Sequence, residues 1–245
     1  CYGDIVLRNT SAIADGVIKQ QLSGLIPGNY IKMRDLDRAF LLVGDLAGID
    51  TQVTLSPGKA LGFADIIVET KPARNKNNNI TFPNWGDRYT GVNQATLNYT
   101  FTNPARLGDS LAVSILTAGS GLDVGAATYC LPVAEGLNLN FAYSKVSYVL
   151  GDEYAWLKAH GTATAGHFDT TWKVIRSRNA DLNLQLGYNN SRMRDLVDTA
   201  GTVSEKSTSS ISFGLAGDSF DSLWGGGTSS YSLLGYRGSI DTCSN

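Results

Sequence analysis

From Ile80 onward the chain alternates apolar and polar residues with a period of two, and no other feature constrains its fold as tightly. Leu97, Tyr99 and Phe101 interleave with Thr96, Asn98, Thr100 and Thr102, and Leu111, Val113 and Ile115 follow. Leu137, Leu139, Phe141 and Tyr143 interleave with Asn138, Asn140 and Ala142, and Leu182, Leu184, Leu186 and Tyr188 with Asn183, Gln185, Gly187 and Asn189. Ile211, Phe213 and Leu215 close the series. Period two with one apolar face means strands, and the spacing predicts about nine of them between Ile80 and Ile240. No apolar run approaches the roughly 20 residues of a membrane-spanning helix, so a chain of this pattern crosses a bilayer only as a barrel.

A soluble sandwich with a dry core and a membrane barrel with lipid outside both explain one apolar face. Three features favour the barrel. Short turns, Asn103 to Asp109, Pro132 to Gly136 and Arg176 to Asp181, are expected to alternate with longer polar loops near Ser120, from Gly151 to Gly161 and from Arg192 to Lys206. The polar face is Asn, Gln, Thr, Ser and Gly rather than Lys and Glu, and charged residues make up only 17% of the chain against about 25% in soluble proteins. Tyr89, Tyr99, Tyr129, Tyr143, Tyr148, Trp172 and Tyr188 fall near strand ends or on apolar faces, as an aromatic girdle requires.

The first 73 residues have another pattern. Gly3 to Leu7 reads as a strand, and Ile13, Val17, Ile18 and Leu22 as one face of a helix. A second helix from about Lys32 places Leu36, Ala39, Phe40 and Val43 on one side. Strands from Ile49 to Leu55 and Phe63 to Thr70 flank the turn Ser56-Pro57-Gly58-Lys59, giving the order β-α-α-β-β. The polar stretch Lys71 to Asn79 reads as a linker between a domain of residues 1–73 and one of residues 80–245.

Several of these segments carry a resemblance in a fixed order. A helix ending in Leu41-Leu42, then Asp45-Leu46-Ala47-Gly48-Ile49, Leu55-Ser56-Pro57-Gly58 and Gly62-Phe63-Ala64-Asp65, resembles the last periplasmic POTRA domain of the two-partner secretion translocators, the haemolysin-activator family. Asn84-Trp85-Gly86-Asp87-Arg88-Tyr89-Thr90-Gly91 is similar to that family's first barrel strand, Asn103-Pro104 with Leu107-Gly108-Asp109 to its first turn, and Val174-Ile175-Arg176-Ser177-Arg178 with Leu182 to a later one.

The resemblance implies an α+β POTRA domain followed by antiparallel transmembrane strands of an incomplete barrel, located in the outer membrane with the POTRA domain in the periplasm. It implies a translocator that captures an unfolded secreted exoprotein and passes it to the cell surface. An exposed sheet edge offers unpaired N–H and C=O groups to an extended chain. By resemblance that edge is the strand of Thr51, Gln52, Val53 and Thr54. Thr96, Asn98, Asn138, Asn140, Asn183 and Gln185 would line the pore, and outer-membrane lipid would cover the other face. The family's Val-Arg-Gly-Tyr loop motif is absent; Leu234-Gly235-Tyr236-Arg237-Gly238 has similar letters in another order. The beginning at Cys1 and the end at Asn245 read as the edges of a piece. Two other readings share parts of the pattern, a POTRA-containing assembly factor and a soluble β-rich binding or adhesive protein.

Other chemistries find little support in the residues. A net charge of −2 without a basic run gives no footprint for nucleic acid. His160 and His167 have no metal or triad spacing, and Cys1, Cys130 and Cys243 are too widely scattered for a metal site, so no catalytic residue, metal or cofactor is expected. Arg88, Arg106, Arg176 and Arg178 are expected at strand ends, as mouth or interface residues.

Overall fold

The computed structural model describes residues 1–73, 78–119, 121–221 and 225–244. Two sheets make up the architecture, a small one carrying both α-helices and a large antiparallel one.

The small sheet has the order β1-β3-β2, with β1 (Tyr2–Asn9) parallel to β3 (Ala64–Pro72) and β2 (Ile49–Pro57) antiparallel to it. Between β1 and β2 run α1 (Asp15–Gln21) and α2 (Met33–Gly44), which gives the expected element order. Ile18 of α1, Leu36 and Val43 of α2, and Ile66 and Val68 of β3 are fully buried together. This is the core the helical periodicity anticipates, because side chains three and four residues apart share the face turned to the sheet. Asn9 ends β1 and opens the path into α1. Its side chain accepts from the hydroxyl of the buried Thr70 at 2.8 Å and donates to the Ile13 carbonyl at 2.8 Å and the Asp15 carboxylate at 2.7 Å.

The large sheet is nine-stranded, in sequence order from β4 to β12. Its members are β4 (Asn79–Thr81), β5 (Ala95–Thr102), β6 (Ser110–Thr117), β7 (Leu122–Ala134), β8 (Leu137–Val149), β9 (Ala159–Arg176), β10 (Ala180–Val197), β11 (Thr202–Asp221) and β12 (Gly227–Ser244). Every neighbouring pair is antiparallel, and the sheet is open, with β4 and β12 as its edges.

From β7 to β11 register places like with like, whereas β12 sets Arg237 opposite Ile211 and Tyr236 opposite Ser212. One cross-strand row reads Tyr129, Phe141, Phe168, Tyr188, Ile211, and the row on the other face beside it reads Cys130, Asn140, Asp169, Gly187, Ser212. Tyr99, Phe141, Tyr143, Trp172, Leu186, Tyr188 and Phe213 are exposed, and no second sheet covers them among the described residues. A sandwich would have made these stripes its dry core.

Several expectations need correction. Arg192 to Lys206 is not a loop: β10 runs to Val197 and β11 starts at Thr202, so only residues 198–201 turn. Polar residues mislead there because strand ladders need only backbone bonds, and beyond the apolar band both faces can be polar. The connection at Ser120 is likewise confined to residues 118–121, with Ser120 itself outside the described residues. Long loops on one side are thus confined to residues 82–94 and 150–158. The later strands run to 18 and 20 residues.

Asn84 to Gly91 is not a strand either. Asp87 accepts from the Tyr89 amide at 2.7 Å, the Gly91 amide bonds the Asp87 carbonyl at 2.8 Å, and Gly91 has φ +118°, so local turn geometry prevails over pairing. In the small hairpin β2 continues through Pro57, and the reversal lies at Gly58–Phe63, closed by the Gly58 amide on the Phe63 carbonyl at 2.9 Å. Within the supposed linker, Lys71 and Pro72 belong to β3 and Asn79 to β4, while residues 74–77 lie outside the described residues. Tyr148 leaves the girdle. It lies on the polar face and reaches across Gly161 to donate to Asp195 at 2.8 Å, where any Cβ on Gly161 would meet the Tyr148 ring at 2.6 Å.

Candidate functional site

The strand holding Thr51, Gln52, Val53 and Thr54 is an edge of the small sheet, bonded on one side only. The Ala73 amide bonds the Gly48 carbonyl and the Gly58 amide the Phe63 carbonyl, and these bracket the β2–β3 register. Antiparallel ladders alternate, so the even-numbered residues of β2 bond β3 and the odd-numbered ones turn their backbone groups outward. Thr51 and Val53 therefore present the unpaired groups, while those of Gln52 and Thr54 are used inside the sheet. The Thr51 hydroxyl oxygen is buried and has no hydrogen-bond partner among the described residues.

Beside this edge lies a groove of about 410 Å³. Phe40 and Leu41 of α2 form one wall, Ile49, Thr51 and Val53 of β2 another, and Arg176 and Arg178 from the end of the large sheet close it. The groove is thus shared by both sheets, which the sequence did not announce.

The expected pore residues share the polar face of the large sheet. Asn98 accepts from Ser114 at 2.7 Å, and Asn140 donates to Asp169 at 2.7 Å and to Thr171 at 3.3 Å. Asn138 pairs with Thr171, which pairs with Gln185; Thr96 faces Leu116, and Asn183 faces Ala216. His167, between Asn189 and Asp169, joins the same network, with Nε2 at 2.8 Å from Asp169. Among the described residues no group of His, Cys, Asp and Glu is arranged to hold a metal, and Cys1, Cys130 and Cys243 are free thiols.

The contact between the two sheets joins residues named from the sequence, Asp45, Arg176 and Arg178, to Gln21, Arg38, Glu135 and Lys173, to which the sequence reading gave no role. Gln21, buried on the apolar side of α1, donates to the Ala134 carbonyl at 2.9 Å and accepts from the Gly136 amide at 3.1 Å. An amide in line with Ile18, Leu22 and Leu25 was the available signal, since a buried polar group needs a partner. Arg38 bonds Glu135 at 3.2 Å and the Val174 carbonyl at 3.1 Å, and Arg178 bonds Asp37 at 3.2 Å. Asp45 takes both Arg176 and Lys173. Burial pushes the Asp45 carboxyl up, but the hydrogen bonds from Arg176 and Lys173 outweigh it and hold it below its ordinary value.

The turn at Asn103 to Asp109 is locked from both sides. Fully buried Asp109 accepts from the amides of Ala105 at 3.1 Å and Leu107 at 3.2 Å and from the Tyr129 hydroxyl at 2.8 Å. The Ala47 amide then bonds the Gly108 carbonyl at 3.0 Å. Of the four arginines grouped together by sequence, Arg88 stands apart. It sits in the 82–94 loop at the opposite end, stacked on Tyr89 with its guanidinium carbon 4.7 Å from the ring and paired with Glu153.

A family profile described as haemolysin secretion/activation protein ShlB/FhaC/HecB matches residues 62–238. The chain belongs to this family. Among known proteins, the heme/hemopexin transporter protein HuxB of Haemophilus influenzae is 22% identical over 219 residues, covering 88% of this chain and 39% of HuxB. Among solved structures, CdiB from Escherichia coli superposes with a TM-score of 0.80 at 20% identity, over 97% of this chain and 45% of that one. BamA from Haemophilus ducreyi lacking POTRA domains 1–3 gives 0.50 at 13% identity, over 94% of this chain and 55% of that one. The chain thus spans less than half the length of HuxB and CdiB, and its likeness to the solved structures is one of fold. As a haemolysin secretion/activation family member it has the antiparallel sheet, and the turn residues Asn103, Gly108, Asp109 and Arg176 quoted for the resemblance are the ones that meet the α/β layer or lock the turn that does.

Proposed function

We propose that this chain is the last periplasmic domain and an adjoining set of barrel strands of a translocator that moves an unfolded exoprotein across the outer membrane. Residues 1–73 form the POTRA domain and residues 80–245 the barrel portion. The observation that carries this reading is the segregation of the large sheet into an exposed apolar face, with Tyr99, Phe141, Tyr188 and Phe213, and a polar face in which Asn, Ser, Thr and Gln outnumber the charged groups and Asp169 is hydrogen-bonded by Asn140 and Thr171. Lipid would cover the first. A sliding chain would pass the second, where Thr96, Asn98, Asn138, Asn140, Asn183 and Gln185 offer weak, neutral contacts.

Capture occurs at β2. The outward N–H and C=O groups of Thr51 and Val53 add the exoprotein as a further strand, and the groove walled by Phe40 and Leu41 receives its alternate side chains. No covalent chemistry is involved, and the partner is recognised as unfolded polypeptide.

The test uses the whole chain in detergent with a fluorescent unfolded N-terminal segment of any large secreted protein encoded beside it. Binding by the parent chain, abolished by Thr51→Pro and retained by Gln52→Ala, supports strand addition, because proline at Thr51 removes an outward donor without touching the ladder to β3. Equal binding by parent and Thr51→Pro, or equal binding of an unrelated unfolded chain, overturns it.

A further inference from the structure

On the apolar face of β9, Gly166 leaves a notch. A Cβ added there would meet nothing within 4 Å, and the hollow around it measures about 450 Å³. Tyr143 of β8 and Asn190 of β10 flank Gly166 in register, and Ala127 lies beyond Tyr143. The next row toward the middle of the face is aromatic, Tyr129, Phe141, Phe168 and Tyr188, with the Phe141 and Phe168 rings 5.0 Å apart. This hollow is almost wholly apolar.

The row on its other side is cationic. Lys145 and Arg192 flank Thr164, with Gly125 beyond Lys145. Both cations are exposed, and neither makes an ion pair or hydrogen bond among the described residues. Two ladder spacings put their Cα atoms about 10 Å apart, within reach of one shared anion above the Thr164 hydroxyl. Of the acids on this face, Glu205 pairs with Arg194 at 3.1 Å, Asp123, diagonal to Lys145, accepts from the Thr117 hydroxyl at 2.6 Å, and Asp241 stands two ladder spacings from Arg192 on the side away from Lys145 and forms no ion pair with it among the described residues. Unpaired cations on a lipid-facing surface need an anionic partner, and they stand toward the loop end, away from the α/β layer.

We propose that the Gly166 notch seats a phosphate-bearing lipid of the outer leaflet, its phosphate held by Lys145 and Arg192 with Thr164 and an acyl chain laid over Gly166 against the aromatic row. This rests on the membrane-spanning reading above and adds a ligand to it. An acyl chain fits because the hollow is apolar and lacks a side chain at its floor. A phosphate fits because two cations and a hydroxyl converge on three acceptor oxygens.

The probe is diphosphorylated lipid A, offered to the chain in phosphatidylcholine vesicles and counted by native mass spectrometry after gentle extraction, with inorganic phosphate as competitor. The parent chain should retain lipid A, and inorganic phosphate should not displace it. Lys145→Gln with Arg192→Gln should weaken retention about tenfold or more, and Gly166→Leu, which fills the notch and keeps the cations, should do the same. Arg192→Lys should largely preserve it. Unchanged retention in both the double variant and Gly166→Leu, or equal retention of dephosphorylated lipid A, overturns the site while leaving the barrel reading intact. A parent chain that washes off the vesicles in carbonate overturns both.

Discussion

Arg176, the last residue of β9, donates to both oxygens of Asp45 just past the end of α2, Nη2 to Oδ1 at 2.8 Å and Nε to Oδ2 at 2.9 Å. Its third nitrogen holds Asp181 at 3.1 Å, and Lys173 joins Asp45 at 2.6 Å. This bidentate clamp fixes where the large sheet begins relative to the small one, and it shapes the groove beside β2.

Asp45→Asn should loosen that clamp. With side chains near one-quarter exposed, the pair is screened less than a surface ion pair and more than a buried one, so a loss of about 1–3 kcal/mol is expected. A double-mutant cycle with Arg176→Gln, read by urea unfolding of the α/β layer, should give a coupling energy near 1 kcal/mol. Additive single effects would place the energy elsewhere.

Acid should release the same contact. The folded Asp45 carboxyl lies below its unfolded value of about 3.9, so its contribution is complete above that pH and is lost as pH falls through the lowered folded value. Hydrogen exchange at α2 and at residues 177–179 should therefore stay slow at pH 6 and rise together below about pH 4, and Asp45→Asn should flatten that rise.

Gly108→Ala should be costly. Gly108 has φ +72°, and an added Cβ would meet the Leu46 side chain at 2.9 Å, so both backbone and packing resist it, at about 1–3 kcal/mol. Gly16→Ala in α1, where a Cβ meets nothing within 4 Å, should instead be neutral or stabilising by about 0.5 kcal/mol. Thermal unfolding of the two variants side by side checks both signs.

Alternation and helical spacing made the element order, the strand count of the large sheet and the polarity of its faces legible, because side-chain period follows directly from backbone geometry. Composition was a poorer guide to connections. Arg192 to Asp195 is rich in charge yet laddered, and Asn84 to Gly91 is strand-like in family order yet folded by Asp87 and Gly91 into turns. What only the tertiary structure decided is which distant residues meet. Gln21 with Gly136, Asp45 with Arg176, and Lys145 with Arg192 across Thr164 are separated by 115, 131 and 47 positions, and no local pattern encodes them. Local periodicity sets what each segment presents, whereas strand register and the docking of one sheet on the turns of the other set what it is presented to.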